Sequence, residues 1–404
     1  MKILMVNKFL YPAGGAETYM FKLGKHLEAL GNEIQYFGMD SESRCVSNML
    51  DCYTDEIDFR NAGATKKIKY SVKSVYSREA KQKISMVLDA FKPDIVHLNN
   101  INFQLTPAII PEIKKRGIPI VQTVHDVQIA CPNHRMYNEE TQKICSECKI
   151  NRYLPCIKNK CVHGSALKSA LAAFESYLYH KKGTYNLVDR YICPSDFMKE
   201  AIASGGISED RITVLHNFSD IQAETKRDSS CEKYILYFGR LSIEKGIKTL
   251  IEAVKELPEI TLFLAGTGPL EKIADGIENI KAIGFKSGEE LKVLIRNAMF
   301  AVCPSEWYEN CPMSVVEALS LGTPVICSDL GGSKELIENG KTGIVFEAGS
   351  KDALKEAILT LYNNPEELEK MRPLCLEASS NNIERYSERL LNIYRELNRE
   401  KENG

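Results

Sequence analysis

The stretch EWYENCPMSVVEALSLGTPVI, Glu306 to Ile326, decides how this chain is read. It follows the short apolar run FAVCP (300–304) and ends in another, TPVICS (323–328), so it reads as strand, loop, helix, strand. Pro312 falls at the first turn of a helix continuing through Ser320, where its missing N–H is one of the groups left unpaired anyway. Glu309 then lies in the loop and Glu317 in the second turn, with the free amides of the helix start between them. The two carboxylates read either as solvated charge or as acceptors for hydroxyl groups beside an anion site.

Working outward, the same alternation covers most of the chain. Expected strands are KILMV (2–6), EIQYF (33–37), DIVHL (94–98), PIVQTV (119–124) and RYICP (190–194). Beyond residue 230 come YILYFG (234–239), ITLFLAG (260–266), IKAIG (280–284) and TGIVF (342–346). Segments such as Ala16–Leu30 and Leu291–Asn297 carry apolar residues at helical spacing, the first ending at a C′ glycine, Gly31. Strands that alternate with helices build parallel sheets covered on both faces. Residues 220–233 are polar and aperiodic and read as a linker, after which the pattern restarts. The expected fold class is therefore α/β, with two doubly wound Rossmann-like domains facing across a cleft. Their expected limits are 1–220 and 221–375, followed by a segment 376–404. Its helix, about 383–401, is apolar at Ile383, Leu390, Leu391, Ile393, Tyr394 and Leu397 and needs a surface to pack on.

Composition narrows the class. A chain of 404 residues exceeds one ordinary core, and 44% hydrophobic with 26% charged residues describes a soluble globular protein. A net charge of −2 gives no whole-protein argument for nucleic acid or membrane binding. The opening MKILMVNK has too short an apolar run for a signal segment, and nothing later reaches about 18 uninterrupted apolar residues. The expectation is a cytoplasmic protein whose thirteen cysteines are mostly reduced.

In YFGRLSIEKGI, Gly239, Arg240 and Lys245 stand just beyond a strand. Two cations there suit a diphosphate leaving group, and otherwise they are surface charges at a βα turn. LAGTGPLE, with Gly266 and Gly268, is a similar strand-to-helix turn, with or without a ligand. In YPAGGAETYM, Gly14 and Gly15 open the first helix, a place where anionic or hydroxyl oxygens approach closely. The loop is not the G-x-G-x-x-G dinucleotide fingerprint, so NAD is not expected. TVHDVQ places His125 and Asp126 at a strand end, where a histidine is structural or binds ligand.

GRLSIEKG, followed about sixty residues later by the Glu309/Glu317 stretch, resembles the retaining glycosyltransferases of the GT-B fold, family four, the group 1 glycosyl transferases. The Glu-x7-Glu motif is matched by Glu309 and Glu317, and the Arg/Lys pair by Arg240 and Lys245. The likeness runs from Gly14–Gly15 to the last helix. It implies a nucleotide-sugar donor, UDP- or GDP-linked, held mainly by the second domain. By that likeness Glu317 binds ribose hydroxyls, Glu309 the sugar hydroxyls, and Arg240 and Lys245 the diphosphate. The backbone of Asn310, Cys311, Pro312 and Met313, with Ser314, lies along the sugar and phosphates. Gly14, Gly15 and Glu17 face donor phosphate and acceptor, and His125 hydrogen-bonds the donor. HNF, with His216 and Asn217, resembles the family's hinge-proximal asparagine motif, and the last helix crosses back onto the first domain. The acceptor implied is a saccharide or lipid-linked saccharide, in cell-surface polysaccharide or glycoconjugate synthesis.

No Asp-x-Asp occurs, so a divalent metal bridging the diphosphate is not expected. Leaving charge then falls to Arg240, Lys245 and the amides near Pro312. The resemblance implies front-face attack, with the leaving phosphate taking the acceptor's proton. Competing readings are a nucleotide-sugar epimerase or hydrolase on this scaffold, and a non-catalytic nucleotide-sugar-binding protein.

Two segments stand outside this pattern. Cys131, Cys145, Cys148, Cys156 and Cys161 crowd 31 residues, with His134 and His163 nearby. They read as a structural zinc site, or as a metal-free insertion, or as one that forms disulfides on oxidation. ATKKIKYSVKSVYSREAKQKIS (64–85) carries seven Lys or Arg against Glu79, with Ile68, Val72, Val75 and Tyr76 at helical spacing. It reads as one basic amphipathic helix, either solvated over a core stripe or resting peripherally on the inner face of an anionic membrane.

Overall fold

A computed structural model describes residues 1–56, 64–221, 232–379 and 381–403. The chain forms two compact units, residues 1–215 with 383–404, and residues 216–382. The expected linker, 220–233, lies largely outside the described residues.

In unit 1 the order is β1 (Lys2–Val6), α1 (Gly15–Ala29), β2 (Glu33–Phe37), α2 (Ala64–Val75), α3 (Arg78–Phe91) and β3 (Ile95–Leu98). Then come α4 (Ile110–Lys114), β4 (Ile120–Thr123), the hairpin β5 (Tyr137–Asn138) and β6 (Lys143–Ile144), α5 (Leu154–Lys158) and α6 (Ala166–Lys181). β7 (Arg190–Cys193), α7 (Asp196–Ser204) and β8 (Ile212–Val214) complete the sheet, in order β2-β1-β3-β4-β7-β8. Every pairing in it is parallel. The strands read as near-continuous apolar runs because helices cover both faces: Ile3 to Val6 expose nothing.

Unit 2 repeats the plan with β9 (Tyr234–Phe238), α8 (Ile247–Val254), β10 (Thr261–Ala265), β11 (Ile280–Gly284), α9 (Gly288–Asn297) and β12 (Ala301–Cys303). α10 (Met313–Ser320), β13 (Val325–Ser328), β14 (Gly343–Phe346), α11 (Lys351–Tyr362) and α12 (Pro365–Ala378) follow. Its parallel sheet runs β11-β10-β9-β12-β13-β14. The central strand β9 is buried along its whole length. Each sheet thus has ligand-facing loops at the carboxyl ends of its strands.

The last helix, α13 (Ile383–Asn403), belongs to unit 1. A chain of hydroxyls fastens it. Tyr386 Oη meets Tyr19 Oη at 2.6 Å, Tyr19 reaches Thr123 Oγ1 at 3.1 Å, and Thr123 meets His97 Nε2 at 2.7 Å. His97 Nδ1 closes the chain against Tyr394 Oη. The apolar stripe alone announced the helix; the hydroxyls that fix its register were not legible, because their partners lie hundreds of residues away.

The single basic helix expected over 64–85 is corrected. α2 stops at Val75, and Ser77 caps α3 by accepting from the Ala80 N–H at 3.1 Å. Serine at that place competes for backbone donors and starts a new helix. Glu79 bonds both Lys73 and Lys83, and although burial would raise its carboxyl, these lysines hold it down to about 2. Part of the basic charge is therefore neutralised inside the fold. Val72 is 66% exposed, and the Ile68 side chain lies outside the described residues.

Candidate functional site

The site in unit 2 is assembled from the loops after β9, β12 and β13. Lys245 Nζ donates to Glu309 Oε1 at 2.6 Å, and the same oxygen accepts from Ser305 Oγ at 2.6 Å and Trp307 Nε1 at 2.9 Å. Among the described residues none reaches Oε2. The lysine also stands 5.2 Å from the Trp307 ring centroid. Burial pushes the Glu309 carboxyl up, but the Lys245 charge and these hydrogen bonds outweigh it and leave it below the usual carboxylate range. Burial likewise lowers Lys245, and Glu309 more than reverses it, so the ammonium is held above its ordinary value. Both groups are ionised through neutral pH, and one carboxylate oxygen stays open for a ligand.

Glycines place this pair. Gly246 has φ +70° and a Cβ there would lie 1.8 Å from the Pro304 carbonyl, so only glycine lets the Lys245 turn pack on the Glu309 loop. Gly331 has φ +58° and abuts the Glu309 backbone, while the Gly332 N–H donates to the Glu309 carbonyl at 2.7 Å. Asn217 grips the same loop from behind, its Nδ2 on the Cys311 carbonyl at 3.0 Å and its N–H toward Cys311 Sγ at 3.4 Å. Pro312 precedes α10, whose first residues are Met313 and Ser314, and Glu317 is half-buried one turn on. Asn310 lies beside Glu309 in the same loop. Arg240 is exposed beyond β9, and among the described residues nothing pairs its guanidinium.

The expected cations therefore differ in kind: Arg240 is open to a ligand, whereas Lys245 is already bound to Glu309. That pairing was not legible, since the two residues stand 64 apart. Trp307 and Ser305 were missed too, although they stand two and four residues before Glu309. Gly239 and Gly266 serve each other, a Cβ on Gly266 lying 1.8 Å from the Gly239 carbonyl.

In unit 1, His125 follows β4 and its Nε2 meets Asn99 Oδ1 at 2.9 Å. Burial lowers the imidazole to about 4, so it is neutral near pH 7, with Nε2 carrying the proton it donates to Asn99. Asp126 accepts from Asn102 Nδ2 at 2.7 Å and from the Gln128 N–H at 2.9 Å. Burial would raise its carboxyl, and His134, Lys8 and the Gln128 N–H keep it below the usual range. His134, expected beside the cysteines, is 3.1 Å from Asn102 and stacks on Phe103 at 4.6 Å. His163 lies near Glu139 and is well exposed. The loop after β1 is held by Asn7, which donates to Glu17 Oε1 at 3.0 Å and accepts the Asn100 N–H at 2.9 Å. Gly14 caps α1 with extended backbone, and a Cβ on Gly15 would meet nothing within 4 Å. Neither glycine is required there by packing or by φ.

Comparison with known proteins adds the following. The family model described as "Glycosyltransferase Family 4" matches residues 13–223, more than half of the chain, and "Glycosyl transferases group 1" matches residues 219–373. The alpha-D-kanosaminyltransferase of Streptomyces kanamyceticus is 31% identical over 200 residues, 45% of this chain and 52% of that protein. Matches to the first curated relatives thus span only a little over half of their length. The sucrose-phosphate synthase of Thermosynechococcus elongatus superposes with a TM-score of 0.71 at 18% identity, covering 98% of each chain. HepE of Anabaena, solved in complex with UDP, gives 0.66 at 16% identity, covering 97% of this chain and 99% of that one. These likenesses establish the GT-B fold.

Proposed function

The chain belongs to Glycosyltransferase Family 4, and on that premise we propose that it moves a hexosyl group from a UDP- or GDP-sugar to a saccharide or lipid-linked acceptor, retaining anomeric configuration. The observation that carries this reading is the Lys245–Glu309 pair, ionised and backed by Trp307 and Ser305, with Arg240 exposed in the same loop after β9 as Lys245. A nucleotide sugar needs cations for its diphosphate and a fixed carboxylate for its sugar hydroxyls, and unit 2 offers both.

In this reading Glu309 Oε2 accepts a sugar hydroxyl while Lys245 fixes the opposite oxygen and adds positive charge toward the diphosphate. Arg240 contacts the phosphates, the amides of Asn310 to Met313 and Ser314 lie along them, and Glu317 takes the ribose. The acceptor hydroxyl oxygen bonds the anomeric carbon as the bond to the diphosphate oxygen breaks. The acceptor's proton passes to that leaving oxygen, so no protein nucleophile is needed. Within unit 1, His125 is a neutral hydrogen-bonding group, not a cation, and Gly14 and Gly15 form a loop open to close approach. We assign the chain to surface polysaccharide or glycoconjugate synthesis and to metal-independent transfer. Peripheral contact with an anionic membrane through 64–85 draws on exposed Val72 and on the excess of Lys and Arg in that stretch.

The test is a panel of UDP- and GDP-sugars with and without saccharide acceptors, read by product mass and by the anomeric coupling constant. Acceptor-dependent transfer with retained configuration, undiminished by a chelator, is expected. Donor hydrolysis or epimerisation without transfer overturns the reading. Flotation with anionic vesicles checks the membrane contact, and equal recovery with neutral vesicles refutes it.

A further inference from the structure

The five cysteines of 131–161 play no part in the reading above. They line one cavity of about 70 Å³, formed where the β5–β6 hairpin, the turn at 146–152 and α5 meet. Among the described residues all of them are free thiols. Three features of the segment point to a ligand in that cavity.

First, the segment has little core of its own. Tyr137, Tyr153 and Cys156 are buried, but Ile144, Ile150 and Leu154 are exposed, the last by 77%. So little apolar burial does not hold an insertion of this length. Second, its backbone is irregular. Of the ten non-glycine residues with positive φ among the described residues, six fall between 134 and 163: His134, Met136, Gln142, Asn151, Lys160 and His163. Such conformations cost free energy and persist only where something else holds the chain. Third, the loop is folded about Cys131, and the segment is rich in cations. The Cys131 thiol donates to Asn133 Oδ1 at 3.0 Å, and Asn133 Nδ2 in turn donates to the Tyr137 carbonyl at 2.7 Å, so the loop is folded about that sulfur. Between Cys131 and Cys161, Arg135, Lys143, Lys149, Arg152, Lys158 and Lys160 stand against Glu139, Glu140 and Glu147, a balance suited to a site with net negative charge.

We propose that Cys131, Cys145, Cys148 and Cys161 bind one zinc ion that staples this insertion to the end of β4. Four thiolates around Zn²⁺ carry a net charge of −2, which the flanking cations offset, and the C-x-x-C of 145–148 supplies one edge of the tetrahedron. Binding releases the four thiol protons to solvent. Cys156 is the spare: it is 2% exposed, and its thiol donates to the Ser169 carbonyl in α6 at 3.9 Å. Among the described residues the sulfurs ring the cavity without three ligand groups converging, so loading draws them inward to about 2.3 Å from the metal. The staple acts on the loop carrying Asp126, because the Cys131 N–H bonds the Val127 carbonyl at 2.8 Å and His134 contacts Asn102.

The test is metal analysis of the full chain, purified reduced from zinc-supplemented medium without chelator. About one zinc per chain is expected, falling at least fivefold in Cys145→Ser and Cys148→Ser and unchanged in Cys156→Ala. Should the serine variants not fold, CoCl2 is titrated into the metal-stripped wild-type chain. The visible absorption of tetrahedral thiolate-bound cobalt, saturating at one equivalent and abolished by added ZnCl2, supports the site. Zinc below a tenth per chain, iron in its place, or a mapped disulfide among these cysteines overturns it. Loss of zinc in Cys156→Ala with retention in Cys131→Ser overturns the assigned ligand set.

Discussion

The two units differ in how they hold their most buried polar groups. Unit 1 keeps several neutral ones beside its ionised Asp126: His97 and His125, lowered by burial to about 3 and about 4, the tyrosine hydroxyls on α13, and Glu175, raised by burial to about 8. Unit 2 keeps an ionised pair, Lys245 and Glu309, each shifted so as to stay charged. A low-dielectric interior allows either solution, provided a charge has a partner and a neutral group a hydrogen bond. The difference teaches where charge chemistry can reside. A fixed ion pair with an open oxygen suits a charged donor, and neutral donors and acceptors suit a sugar hydroxyl.

The sharpest way to break this contrast is Lys245→Ala. Turnover is expected to fall on the order of 10³-fold, the cost of losing a charge-stabilising group, with nucleotide binding changed far less. The variant also strands a buried carboxylate, which costs about 3–5 kcal/mol. Lys245→Ala with Glu309→Gln should therefore regain stability in denaturant titrations and not regain turnover. Recovery of turnover in the double variant would falsify the role given to the lysine.

Next in size is a glycine comparison. Gly266→Ala drives a methyl into the Gly239 carbonyl and should destabilise unit 2 by about 3 kcal/mol or more. Gly15→Ala meets no atom, so stability should move by less than about 0.5 kcal/mol. Its kcat/KM should still fall if that loop approaches ligand; unchanged kinetics would remove Gly15 from the site.

The pH response separates the units. The depressed histidines of unit 1 bind fewer protons folded than unfolded, so their contribution is whole above about pH 6.5 and drains as pH falls toward 4. Glu175 has the opposite sign: its contribution is whole below about pH 4.5 and drains as pH rises through 8. The Glu309 contribution is present above about pH 4.5 and is lost only below its depressed folded value, while raised Lys245 holds to alkaline pH. Hydrogen exchange read by unit at pH 5, 7 and 8.5 should show unit 1 losing protection at both ends and unit 2 at neither. Glu175→Gln, which keeps shape and leaves no charge to bury, should remove the alkaline loss, on the order of 2 kcal/mol at pH 8.5. A loss that persists in the variant would place its origin elsewhere.

The most local expected effect is that of Tyr386→Phe, which removes one hydroxyl from the chain joining α13 to Tyr19 and should cost about 1–2 kcal/mol. Faster exchange confined to α13 is the signature; a global change would mean the helix is not locally fastened.

Strand positions were legible because fully buried parallel strands leave unbroken β-branched and aromatic runs. Short edge pieces were not: β8 has three residues, and β5 and β6 two each, too few to show a period. The broken basic helix was misread because its stripe continues across Ser77, whose cap depends on one local hydrogen bond. The quoted stretch marked Glu309, Glu317 and Pro312 through spacing alone, since strand, loop and helix follow in order within 21 residues.

The sequence by itself determined two doubly wound units, the loops that carry polar residues, and the turn between Glu309 and Glu317. Periodicity and local backbone chemistry are written within a few residues and need no knowledge of the rest. Only the tertiary structure decided which polar groups meet: Lys245 with Glu309, His97 with Tyr394, His134 with Asn102, and five cysteines around one cavity. Such pairings depend on which strand lies beside which, and burial then sets whether each group is charged or neutral.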